Sequence, residues 1–182
     1  MDTLQPTSGT RCTKLLNAAA RVAQSVKSIL DLDLLLRRTI DIICTEFDFC
    51  YTGVFLVDQE RQWAVLRAAP DVANARESED GQRLPLDGDS LVARAIRERT
   101  TQTAGGNTTA SPSVPDHAPA HTAMALPLQI SGETLGALLV QRDDQAPFSP
   151  ADDVTLHIIA DQLAIAINNS RLHHQIQELL YK

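Results

Sequence analysis

Residues 121–141 read HTAMALPLQISGETLGALLVQ, two apolar runs that meet at Ser131-Gly132. In the first run Met124, Leu126, Leu128 and Ile130 fall on one face of an extended chain, and Ala123, Ala125, Pro127 and Gln129 on the other. In the second, Leu135, Ala137 and Leu139 alternate with Gly136, Leu138 and Val140, so both faces are apolar. An antiparallel strand exposed on one side alternates apolar and polar residues. This arm is therefore expected at the centre of a sheet, with helices on one face and a pocket or loop lid on the other. Gly132 supplies the positive φ of a tight hairpin turn. Pro127 lacks an N–H and is expected to mark a bulge or an unpaired position.

Downstream, FSPADD sets Ser149 as N-cap, Pro150 at the first helical position and Asp152 at the capping-box acid, opening a helix from about 150 to 180. From Val154 to Ile167 this helix is apolar over most of its circumference, which predicts burial between two layers. Beyond it Leu172, Ile176 and Leu179 form a single stripe. Upstream, residues 104–122 carry prolines, glycines and small polar residues and predict a long loop. DGDSLVARAIRER predicts a short helix capped by Asp89 or Ser90, with Leu91, Ala95 and Ile96 on one face. RLPL (83–86) and TTQT (100–103) suit brief strands, and 70–82 suits a polar loop or a short irregular helix.

CYTGVFLVD (50–58) and QWAVLRAA (62–69) are β-branched and aromatic around a polar turn, a first hairpin. LLLRRTIDIICTEF predicts a helix ending near Phe47, led in by the capping carboxylates of Asp31 and Asp33, with Leu35, Ile42 and Cys44 or Ile43 with Phe47 facing the core. Before it, Leu15, Ala19, Val22, Val26 and Ile29 recur at heptad spacing, a helix offering one stripe to a partner. Residues 1–11 read as a flexible tail. The fold class is α+β, with a central antiparallel sheet of about six strands.

The net charge of −7 and the lack of a Lys/Arg cluster argue against nucleic acid and anionic membrane as partners. The amino-terminal residues show no export signal, and no apolar run is long enough to span a bilayer, so a cytoplasmic protein is expected. Three cysteines, Cys12, Cys44 and Cys50, show no CxxC spacing and read as buried free thiols.

FDFCYTGVFLVD (47–58), RLPLDGDSLVARAI (83–96), ALPLQISGETLGALLVQ (125–141) and FSPADDVTLHIIADQLAIAINNSRL (148–172) together resemble the GAF domain family of sensory modules, in that family's order and spacing. The resemblance implies a domain over 12–175, with 176–182 the end of a signalling helix. It also implies terminal helices on one sheet face, and a short helix plus long loop over a ligand pocket on the other. The family's pairing of terminal helices implies a homodimer through Leu15, Val22, Val26, Leu172, Ile176 and Leu179. An output kinase or cyclase module is the partner such a sensor would serve.

Pocket candidates are Ser90, Leu91 and Arg94 of the short helix, His117 and His121 in the loop, and Thr122 and Met124 entering the strand. His117 and His121 are spaced H-x-x-x-H, but Pro115 and Pro119 oppose a helix and no third ligand is near, so no metal is expected. Where relatives show Arg-Ser-Glu before the ALPL strand, this chain has His121-Thr122-Ala123. The cyclic-nucleotide signature is missing, and no cysteine follows residue 50 to hold a tetrapyrrole, so no cofactor is expected. The same lack of pocket thiolates opposes a reductase of free methionine sulfoxide, an enzyme with a similar fold. The reading is a non-catalytic sensory module. The alternatives are a redox enzyme on the same fold and a purely structural docking domain.

Overall fold

The structure, a computed structural model, describes residues 32–47, 49, 51–70, 83–105, 122–142, 144 and 146–180. The predicted tail, the heptad helix with Leu15, Val22 and Val26, and both His117 and His121 lie outside the described residues. The elements are α1 (Leu32–Phe47), β1 (Tyr51–Val57), β2 (Trp63–Ala68), β3 (Arg83–Pro85), α2 (Leu91–Glu98), β4 (Gln102–Gly105), β5 (Thr122–Ile130), β6 (Glu133–Arg142) and α3 (Pro150–Leu180).

Six strands form one antiparallel sheet in the order β3-β2-β1-β6-β5-β4. Strand β6 lies between β1 and β5, the central place that its two apolar faces demanded. Strand β1 is buried at every position. Helices α1 and α3 cover one face, where Leu36, Ile40 and Ile43 of α1 and Leu156, Ile159 and Leu163 of α3 meet Leu126, Leu138 and Val140. Helix α2 covers the other, where Leu91, Val92, Ala95 and Ile96 pack on Phe55, Ala125, Ala137 and Leu139. The sheet is thus the middle layer of three.

Local chemistry sets the ends of the elements. Ser131 and Gly132 both take positive φ, 51° and 80°, as a two-residue turn with the twist of its flanking strands requires. In the first hairpin the Asp58 carboxylate accepts from the Gln62 and Trp63 amides at 2.9 and 3.1 Å, and Arg61 takes the left-handed position. At the start of α3 the Ser149 hydroxyl accepts from the Asp152 amide at 3.1 Å, and the Asp152 carboxylate accepts from the Ser149 amide at 3.0 Å. This is the reciprocal capping box expected from the sequence. The aromatic rings of Phe47, Phe49 and Phe148 meet in series, joining the end of α1 to the approach to α3.

Three expectations need correction. The hairpin's irregularity is not at Pro127, which pairs with Ala137. It falls between Leu128 and Gln129, whose partners are Gly136 and Thr134. Leu135 is the extra residue, and the bulge turns it to the face of Leu138 and Val140. The inner face of α1 is Leu35, Leu36, Thr39, Ile40 and Ile43, while Ile42 and Cys44 are only half-buried. The first half of α3 is not enclosed by two layers either. Val154, Ile158 and Ile165 are exposed on its outer side, because the sheet covers one face of the helix only.

Candidate functional site

Helix α2 is amphipathic, and its polar edge carries the chemistry. Ser90 is its N-cap, the hydroxyl accepting from the Ala93 amide at 3.1 Å while itself buried. Leu91 is core. Arg97 donates to the carbonyls of Leu86 and Gly88, both at 2.9 Å, and so ties the preceding turn to the helix. Arg94 is half-buried, and its Nε is buried with no hydrogen-bond partner. A guanidinium in that state is a donor available to an anionic or carbonyl oxygen.

Beneath α2 the sheet presents small side chains, Ala64, Ala123, Ala125 and Ala137, beside the larger Tyr51, Phe55 and Leu139. The Tyr51 ring lies along its own strand over Gly53, where a Cβ would come within 2.9 Å of the phenol oxygen. Gly53 therefore gives the ring its seat, and Gln141, buried and paired with Tyr51 in the ladder, sits beside it.

The described pocket candidates divide between the two faces. Ser90, Leu91 and Arg94 belong to the α2 side. Thr122 and Met124 belong to the opposite side, where Met124 enters the core under α1 and α3. These two line a cleft of about 580 Å³ with Thr103, Gly105, Phe148 and Asp153, at the base of α3. Thr122 also donates to the Asp144 carbonyl at 3.2 Å. Asp144 is held by Arg142 through two bonds of 2.8 Å, and this arginine keeps its carboxyl below the usual carboxylate range.

Of the predicted dimer residues, Leu172, Ile176 and Leu179 are exposed, and with Ile158 and Ile165 they form one line on α3. The seven-residue recurrence of 158, 165, 172 and 179 was present in the sequence. It was hidden because the first half of the helix is apolar all round. A second cleft, lined by Asp33, Arg67, Arg83, Ser170 and Arg171, was not anticipated. Its residues are scattered along the chain, and only the topology gathers them.

Cys44 is half-buried. Burial pushes its thiol up, the Thr52 hydroxyl offsets this in part, and the Asp41 carboxylate adds to the rise. A thiol so placed is a poor nucleophile at neutral pH. Among the described residues no group of three or more His, Cys, Asp or Glu side chains is arranged to hold a metal. No described helix is long and apolar enough to cross a membrane.

No curated protein matches the chain. Among solved structures it is similar to the GAF domain of an Acinetobacter phosphoenolpyruvate-protein phosphotransferase, with 19% identity over 86% of this chain and 94% of that one and a TM-score of 0.75. It is similar also to the free methionine-R-sulfoxide reductase of Neisseria meningitidis, solved with its substrate, with 19% identity over 95% and 99% and a TM-score of 0.74. A third likeness is to residues 122 to 287 of a methyl-accepting chemotaxis protein, with 18% identity over 83% and 97% and a TM-score of 0.68. These likenesses establish the fold. Residues 30–168 match the sequence profile described as GAF domain, and the chain belongs to the GAF domain family.

Proposed function

We propose that this chain is a non-catalytic, cytoplasmic sensory module of a signal-transduction protein. In this reading it binds a small ligand beside α2 and pairs with a second copy through its terminal helices, upstream of an output kinase or cyclase. Structural neighbours that are the GAF domain of a phosphoenolpyruvate-protein phosphotransferase and a segment of a methyl-accepting chemotaxis protein support the signalling context.

One observation carries the reading. Ile158, Ile165, Leu172, Ile176 and Leu179 run down the outer face of α3 with exposures from 39% to 75%. A line at heptad spacing is what a helix presents to another helix. If each side chain gains about 1 kcal/mol on burial, two copies supply about 10 kcal/mol against an association cost of about 4–15 kcal/mol. The pairing is therefore close to balance, as a switchable contact requires. Multi-angle light scattering at micromolar concentration tests it. Twice the monomer mass, reduced to one by Ile165→Glu or Leu172→Glu, is expected. A monomer unaffected by either substitution removes the pairing.

The likeness to the methionine sulfoxide reductase favours a second reading, a thiol enzyme on the same fold. The raised Cys44 thiol weighs against it. Incubation with free methionine sulfoxide and dithiothreitol is expected to give no turnover above buffer. Turnover abolished by the Cys44→Ser, Cys50→Ser double substitution would replace the first reading with the second.

A further inference from the structure

We propose that the cleft lined by Asp33, Arg67, Arg83, Ser170 and Arg171 is a second ligand site, taking a small anion that bears a carboxylate or a phosphate. It opens on the α1/α3 side of the sheet, across the sheet from α2, so it does not depend on any ligand beside that helix. Its volume is about 550 Å³, within the range of small-molecule sites.

Three arginines line this one cleft in a chain of net charge −7, against a general excess of acid. They come from β2, the edge strand β3 and the last third of α3. Arg67 is paired with Asp33 at 3.5 Å. Arg83 and Arg171 have no ion-pair partner among the described residues, and like charges are not drawn to a common cleft by their own interaction. Asp58, the other carboxylate on the wall, is turned onto the Gln62 and Trp63 amides. It is committed to the hairpin turn and does not neutralise the arginines directly.

The second observation is Ser170. Its hydroxyl is buried and has no hydrogen-bond partner, although the residue lines the cleft. A buried hydroxyl left unmet is costly, and an oxyanion beside Arg171 would accept from it. Two guanidinium groups and a hydroxyl suit the oxygens of a carboxylate or phosphate. Because Arg171 stands on α3 and Asp33 on α1, an anion held here would bear on both helices at once.

The test is an amide NMR titration of the full chain with inorganic phosphate and, separately, succinate, at constant ionic strength, with sodium chloride as the blank. Saturable shifts at Asp33, Arg67 and Ser170 are expected, weakened about tenfold by Arg171→Gln. Arg83→Gln, at an exposed edge position, should weaken binding similarly without altering α3. The tighter of the two anions identifies the head group. No saturable response, affinity in both variants unchanged from that of the parent chain, or saturable shifts confined to α2 would overturn the proposal. None of these outcomes depends on whether two copies pair.

Discussion

Gly136 faces the Phe55 carbonyl so closely across the β1–β6 ladder that a Cβ on the glycine would lie 1.9 Å from that oxygen. The contact is with backbone in the middle of the sheet, so no side-chain rotation can relieve it. Gly136→Ala must push β1 away from β6 and is expected to destabilise the fold by about 3 kcal/mol. Gly132→Ala is the comparison. Its Cβ would meet open space, and only the positive φ of 80° opposes it, a cost of about 1 kcal/mol. Urea midpoints of the two variants should differ in that order, and equal midpoints would contradict the close approach.

Ser90→Ala removes the cap of α2 and leaves the Ala93 amide without its partner. A loss of about 1 kcal/mol is expected, a fall in melting temperature of roughly 3 °C. Ser90→Thr should recover part of it. If alanine changed ligand binding but not melting, the residue would belong to the ligand and not to the helix.

The Arg142–Asp144 pair gives a pH dependence with a definite sign. Hydrogen bonds from Arg142 hold the folded Asp144 carboxyl below its ordinary value. Its contribution is therefore present above the unfolded-state value and is lost as pH falls through the folded one. The group is exposed, so the effect is modest and screened by salt. Stability plotted against pH should fall less steeply on the acid side in Asp144→Asn than in the parent chain. Identical acid limbs would show that the pair contributes nothing.

Cys44 should alkylate slowly. Burial raises its thiol, which leaves less thiolate at neutral pH than a free cysteine has. The corresponding stability is present below the unfolded-state value and is lost as pH rises through the folded one. In a Cys12→Ser, Cys50→Ser background, iodoacetamide should react severalfold more slowly than in urea. A native rate equal to the unfolded one would contradict the buried thiol.

Much of this architecture is legible from residue patterns because each pattern has a local cause. The Ser149/Asp152 cap, the Ser131-Gly132 turn and the two apolar faces of β6 were all readable without neighbours. Register was not. Pro127 advertises a missing donor, yet the sheet accommodates it beside Ala137 and places the extra residue at Leu135. The site was harder still. Thr122 and Met124 are adjacent in sequence to the loop of pocket candidates, but strand parity turns them to the opposite side from Arg94. Arg67, Arg83 and Arg171 carry no shared motif at all.

Helix α3 has 31 residues, about 46 Å at 1.5 Å per residue. Among the described side chains the last buried one is Ile167, so the sheet grips little more than its first half. What remains is a lever with its fulcrum on the core. The 13 residues beyond Ile167 extend about 20 Å, so a tilt of about 5° at the gripped end would carry the far end about 2 Å by simple geometry on that length. A bend too small to disturb the packing of Leu156 or Leu163 would thus be felt at Leu179, where a helix-to-helix contact would have to form or break.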